Sequence, residues 1–394
     1  ESDYDKLSAY TNYINIPAGI GKDGNPFGFK VLIDYLTNNK VDILWMLQDT
    51  FNMVGMADQI NALKKEKGFK VVIYFPLDTE RFPDFFLDVY NFADEVVLYN
   101  ESSRKVVEKM RGSKVAEKSN VIYHGYSPKD FYTISEDEIK EFRESFFGGK
   151  VKDTDILILQ SDTNSQRKMF YKTLQIVGKV AQNDSRVKLY VNTKVANEDF
   201  QLYYLAQQCG LTPGVNFLYH LAEKDKNALS QDTLNRLYNS ADIGISAVTG
   251  EGCGLFHYEM MSLGKTLLIA DNSAHTEAVN AKAVFGIDSG TNESLWITLP
   301  NDLSAQRPIV DVEDGVNKLE MLVKGVADLR ENINSEEAIK ITKQNKLALE
   351  FMSDKTWEGV GKDWVKLFEK VEKTSYNKVK EIEPDNSITD EDRE

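Results

Sequence analysis

Cysteine is scarce in this chain of 394 residues, which has only Cys209 and Cys253. Two cysteines make no disulfide framework, so the sequence reads as a protein of a reducing compartment. No stretch approaches the roughly 18 consecutive apolar residues of a membrane-spanning helix. The first residues also lack the charged-then-apolar pattern of a secretory signal. Basic excess is missing too. The net charge is -15, of which residues 381–394, with seven acids and one arginine, contribute -6, leaving -9 for the remainder. A body of that sign offers no footprint for a nucleic-acid backbone or an anionic membrane. A soluble, cytoplasmic protein is expected, with an acidic, disordered tail.

What the chain does contain points to an enzyme-sized globular fold. Apolar residues make up 42%, with 18 Tyr and 20 Phe, too many for a disordered chain. The length suffices for two domains with sizeable cores. Apolar runs at 41–47, 70–75, 95–99 and 120–123 read as buried strands, with a helix near 102–109. An acidic helix at 135–145 and a Gly148-Gly149 turn mark a change of character. A second series of strands follows at 155–159, 187–191, 215–218, 243–246 and 267–270. The alternation is that of an α/β protein with parallel sheets and no other internal repeat. The strand ends carry Asp49, Asp78 and His124, at the carboxyl edge where open α/β sheets place ligands.

The densest signal is Gly250-Glu251-Gly252-Cys253-Gly254-Leu255-Phe256-His257-Tyr258-Glu259. Its glycines allow a tight turn and close approach of a ligand. The helix that follows offers unused N–H groups to an anion. Glu251 precedes that helix and Glu259 lies one to two turns inside it, so two carboxylates can hold two parts of a long ligand. The plain alternative is one favourable first-turn charge and one solvated helix residue. A second signal is Gln166-Arg167-Lys168 ahead of a helix at 169–180. Adjacent cations at a helix start oppose the helix dipole unless an anion joins them, and a diphosphate is such an anion. Asp153-Thr154-Asp155 has the spacing of a metal-binding carboxylate pair but lies at the start of a strand, the wrong edge of a sheet for a site. His257 reads as a packing residue, and His220 and His275 have no identifiable partners.

The glutamate string resembles the donor-sugar motif of retaining GT-B glycosyltransferases (group 1, family 4-like). There it typically runs Glu-Gly-Phe-Gly-Leu-Pro and then, three residues on, a second Glu. Both glutamates, the two glycines and the leucine are kept here, with Cys253 and Phe256 in place of phenylalanine and proline. Arg167 and Lys168 match the family's diphosphate clamp, and Leu237-Tyr238-Asn239-Ser240-Ala241-Asp242 its segment before the donor motif. His124-Gly125-Tyr126-Ser127 resembles its interdomain junction.

The resemblance implies GT-B architecture, with two Rossmann-like domains facing a cleft. Their spans would be 1–128 on the acceptor side and 129–355 on the nucleotide-sugar side, followed by a crossover helix at 356–372 and a tail at 373–394. It further implies a metal-independent retaining hexosyltransferase with no cofactor, a UDP- or GDP-sugar as donor and an unidentified hydroxyl acceptor. Glu251, Arg167 and Lys168 would serve catalysis, and Gly252, Cys253, Gly254, Leu255 and Glu259 would bind the donor. Asp49, Asp78 and His124 would face the acceptor or the cleft. An epimerase or hydrolase on the same scaffold, and a silent nucleotide-sugar-binding or assembly subunit, remain open alternatives. One departure stands out, because the chain reads as starting after the family's opening strand, glycine loop and helix. A fragment, a reduced first domain or completion by a partner subunit would each account for that.

Overall fold

Runs of Val, Ile and Leu with no polar alternation suit strands covered on both faces, and Lys70–Phe75, Ile156–Ser161, Ile243–Ser246 and Thr266–Ala270 fold that way. Ile43–Leu47, expected to be buried, instead alternates and leaves Trp45 and Leu47 exposed. The computed structural model describes residues 27–197, 200–220 and 229–373. The expectations for the opening unit and for residues 374–394 of the tail lie outside these.

The first sheet comprises β1 (Ile43–Leu47), β2 (Lys70–Phe75), β3 (Glu95–Leu98) and β4 (Ser119–Val121), parallel and in sequence order. The second is parallel with order β10-β9-β8-β5-β6-β7. Its strands are β5 (Ile156–Ser161), β6 (Val187–Asn192), β7 (Phe217–Tyr219), β8 (Ile243–Ser246), β9 (Thr266–Ala270) and β10 (Phe285–Ile287). From β5 the chain winds one way through β6 and β7, then returns to β8 on the other side and winds away. The crevice outside the carboxyl ends of β5 and β8 is therefore the switch point at which such sheets bind ligands.

Three elements position that crevice. Ser135 caps the helix Glu136–Phe147 in a reciprocal capping box with Glu138, and Arg143 ties that helix to the Ser240 carbonyl and Asp242 beside the second sheet. The helix Trp357–Lys373 returns to the first sheet, where Trp364 meets Tyr74 and Trp45 edge-on at 4.9 and 5.6 Å. This helix thus packs on the first sheet. Trp364→Ala should cost about 2–3 kcal/mol of stability, to be read by urea unfolding. An unchanged midpoint would show that this helix does not hold the first sheet.

The third element was not anticipated. β11 (Trp296–Thr298) and β12 (Gln306–Pro308) form an antiparallel hairpin that reaches from the second domain to the loop after β2. There Thr79 Oγ1 donates to the Gln306 carbonyl at 2.6 Å, and the Arg81 guanidinium lies 3.9 Å over the Trp296 ring. Among the described residues no helix is long and apolar enough to cross a membrane.

Candidate active site

The carboxyl ends of β5 and β8 open into a cavity of about 870 Å³ between the two domains, within the range of small-molecule sites. All eleven residues singled out above line it: Asp49, Asp78, His124, Arg167, Lys168, Glu251, Gly252, Cys253, Gly254, Leu255 and Glu259.

The cation pair is set differently from expectation. Gln166–Lys168 is a single 3-10 turn, Met169 is left-handed at φ 45°, and the helix starts at Phe170. Arg167 and Lys168 thereby escape the unfavourable first turn of a helix and turn toward Glu251 of the neighbouring β8 loop. Lys168 Nζ pairs with Glu251 and, at 2.7 Å, with Asp162 Oδ1. Arg167 Nη1 lies 3.3 Å from Glu251 Oε1 and donates to the Gly250 carbonyl, while its Nε stands 3.8 Å from Asp78 Oδ2. Burial pushes the Glu251 carboxyl up, but Arg167 and Lys168 together hold it below the usual carboxylate range. Glu251 is thus a buried, ionised group fixed between two cations at the mouth of the helix Leu255–Ser262.

Glu259 has the opposite electrostatics. Burial lifts its carboxyl to about 7, although a hydrogen bond with Tyr238 opposes the rise. The folded protein therefore holds this proton to about pH 7 while the unfolded chain releases it near 4.5. Stability is lost as pH rises through that window, and the loss is complete above it. Glu259→Gln should raise the melting midpoint by several degrees more at about pH 8 than at about pH 5. Equal shifts at the two pH values would show that Glu259 does not titrate there.

Two of the glycines also make room for the first domain. Gly250 has φ 149°, and a Cβ on it would stand 1.7 Å from the Asp78 carbonyl oxygen. On Gly252 a Cβ would stand 2.3 Å from Pro76 Cβ. Asn100 Nδ2 also donates to the Gly252 carbonyl at 2.8 Å. The loop after β8 is approached by the opposite domain's backbone. Cys253 and Phe256, at the two positions that depart from the family string, are buried in one apolar cluster.

On the first-domain side, Asp49 precedes the helix Thr50–Val54 but its side chain caps nothing. Burial, then the neighbouring Asp78, raises its pKa. His124 bonds to the Tyr74 hydroxyl through Nδ1 at 2.6 Å, and burial lowers its pKa to about 4. It is a neutral hydrogen-bonding group at pH 7. His257 is buried as expected, with its ring 4.3 Å from His275. His275 does have partners: besides that ring, its Nδ1 lies 3.2 Å from the Ala270 carbonyl. His220 stacks on Phe146.

Sequence reasoning missed Asp162 and Arg307. Asp162 sits directly after β5, four residues before Gln166, and its place at the sheet edge is the signal that could have found it. Arg307 comes from the hairpin: its Nη1 is 3.1 Å from Asp78 Oδ2, and Asp302 takes its Nε and Nη2 at 2.5 and 2.9 Å. Carboxylates and cations thus alternate from Asp302 through Arg307, Asp78, Arg167 and Glu251 to Lys168 and Asp162, crossing the domain boundary twice. Among the described residues no group of three His, Cys, Asp or Glu side chains is placed to hold a metal ion. Asp153 and Asp155 lie before β5, at the far edge of the sheet from the cavity.

No protein-family model and no curated protein matches the chain. Solved structures do. A glycosyltransferase from Rickettsia africae ESF-5 superposes with a TM-score of 0.65 at 15% identity, over 95% of this chain and 88% of that one. Sucrose-phosphate synthase from Thermosynechococcus elongatus gives 0.62 at 13% identity, over 87% and 77%. The pneumococcal O-GlcNAc transferase GtfA, in complex with UDP and GlcNAc, gives 0.53 at 10% identity, over 88% and 60%. Two parallel sheets facing one cleft, with the C-terminal helix returned to the first, make this chain a protein of the GT-B fold.

Proposed function

We propose that the protein transfers a sugar from a nucleoside diphosphate donor to a hydroxyl acceptor, with retention of configuration and without a metal ion. The observation that carries this reading is the Glu251 carboxylate clamped by Arg167 and Lys168 at the switch-point crevice. Cations so arranged, beside the unused N–H groups of the following helix, suit a departing diphosphate. As the diphosphate draws Arg167 and Lys168 to itself, Glu251 is released to accept hydroxyls of the donor sugar. Glu259, deeper in the same helix and backed by Tyr238, would accept ribose hydroxyls.

In the reaction the bond from the anomeric carbon to the diphosphate oxygen breaks, and a bond to the acceptor oxygen forms on the same face. The acceptor proton passes to the departing phosphate oxygen. Positive charge for this step comes from Arg167, Lys168 and backbone N–H groups, so the chemistry calls for no metal. His124, neutral at pH 7, can bond sugar hydroxyls without adding charge.

The test is incubation with a panel of UDP-, GDP- and ADP-sugars while nucleoside diphosphate release is followed, with Glu251→Ala and Arg167→Ala alongside. Release that both substitutions abolish supports the transferase. Thermal stabilisation by nucleotide without release, lost in Arg167→Ala, identifies a silent binder instead.

A further inference from the structure

The first-domain half of the cavity is chemically unlike the half that holds the cations. Phe51 and Phe82 pack on Phe86 with ring centroids 5.3 and 5.4 Å apart, and all three half-buried rings line the cavity. Beside them the Asp49 carboxylate has no hydrogen-bond or ion-pair partner among the described residues and caps no helix. The cation on this side, Arg307, is taken by Asp302 and Asp78.

Resting on the transferase reading, we infer that this half receives an uncharged pyranose as the acceptor, its C–H face on the Phe86 wall and a hydroxyl on Asp49. A sugar ring offers the two surfaces found here, an apolar face for aromatic rings and a hydroxyl rim for a carboxylate. A phosphorylated sugar would bring a second anion beside Asp49 with no unengaged cation to meet it, and like charges in a partly buried site repel strongly. An aromatic alcohol would satisfy the rings, but its single hydroxyl is the attacking group, and none would be left to rest on the carboxylate.

Saturation-transfer NMR on the full chain tests this without turnover, using neutral methyl hexopyranosides of gluco, galacto, manno and N-acetylglucosamine type against the corresponding 6-phosphates. Neutral glycosides should bind. Phe86→Ala should weaken them by about tenfold, and Phe86→Leu, which keeps apolar bulk but not the flat ring, should do the same. Asp49→Asn should narrow the preference against the phosphates. Phosphates that bind as well as the neutral sugars, or glycoside binding indifferent to both Phe86 variants, would overturn the assignment. Ring-dependent glycoside binding in a protein that consumes no donor sugar would uphold this site and remove the transferase reading. Donor consumption with no such binding would do the reverse.

Discussion

Arg167→Ala should lower the proposed nucleotide-sugar turnover by at least about a hundredfold, the loss typical of removing one preorganised charge-stabilising donor. Three contacts make this the most consequential side chain in the cleft: Glu251, the Gly250 carbonyl and Asp78 of the opposite domain. In the proposed transfer negative charge grows on the leaving diphosphate as the sugar bond breaks, so the loss should fall mainly in kcat, with a smaller change in KM. The ion-pair network adds to the effect, since the truncation leaves buried Glu251 to Lys168 alone. Arg167→Lys should recover only part of the rate, because an ammonium is a point charge without the fork that spans two carboxylates. Steady-state kinetics on the best donor from the panel decides the matter. A kcat within about threefold of the parent, with the whole effect in KM, would show that Arg167 only binds the ground state.

The strands were legible because their chemistry is local. Lys70–Phe75 and Ile243–Ser246 take the bounds that their apolar runs suggest, since a strand covered on both faces has no other way to satisfy such a run. Both halves of the cation–carboxylate clamp were also legible, being sequence-adjacent strings at the ends of β5 and β8. Their mutual pairing was not. It depends on the left-handed turn at Met169, a residue with no propensity for that conformation.

The hairpin was invisible for a related reason. Trp296–Thr298 and Gln306–Pro308 are three-residue strands, too short for alternation to register, and the second contains an arginine and a proline. Arg307 became a cleft residue only when Thr79 and Arg81 supplied the docking surface. Gly250 and Gly252 read from the sequence as positions where a ligand comes close, and the groups the structure places against them come from residues 76 and 78, more than a hundred positions away in sequence. Nothing local distinguishes a glycine that admits a ligand from one that admits a second domain.

That last distinction yields an expected result independent of any substrate. Gly250→Ala should either open the cleft or destabilise the protein, because the added methyl cannot coexist with the observed closure. The Cβ would overlap the Asp78 carbonyl oxygen at 1.7 Å and come within 3.3 Å of Arg307 Nη1, and φ 149° is itself a conformation that residues with a side chain rarely adopt. Neither neighbour yields cheaply. The Asp78 carbonyl is backbone at the end of the β2 loop, and the Arg307 guanidinium is pinned by Asp302 and Asp78. Strain of this kind costs about 1–3 kcal/mol when the backbone alone is at issue, and the overlap adds to it. The chain can relieve both by separating the loop after β8 from the loop after β2, which also pulls Asp78 away from Arg167. The expected signature is a larger radius of gyration by small-angle X-ray scattering, or a melting midpoint lower by several degrees. Gly214→Ala is the control, since Gly214 has a positive φ as well but nothing within 4 Å of its Cβ position. It should show only the conformational part of the loss. If Gly250→Ala matches Gly214→Ala in both scattering and melting, the two domains do not meet at Gly250 in solution.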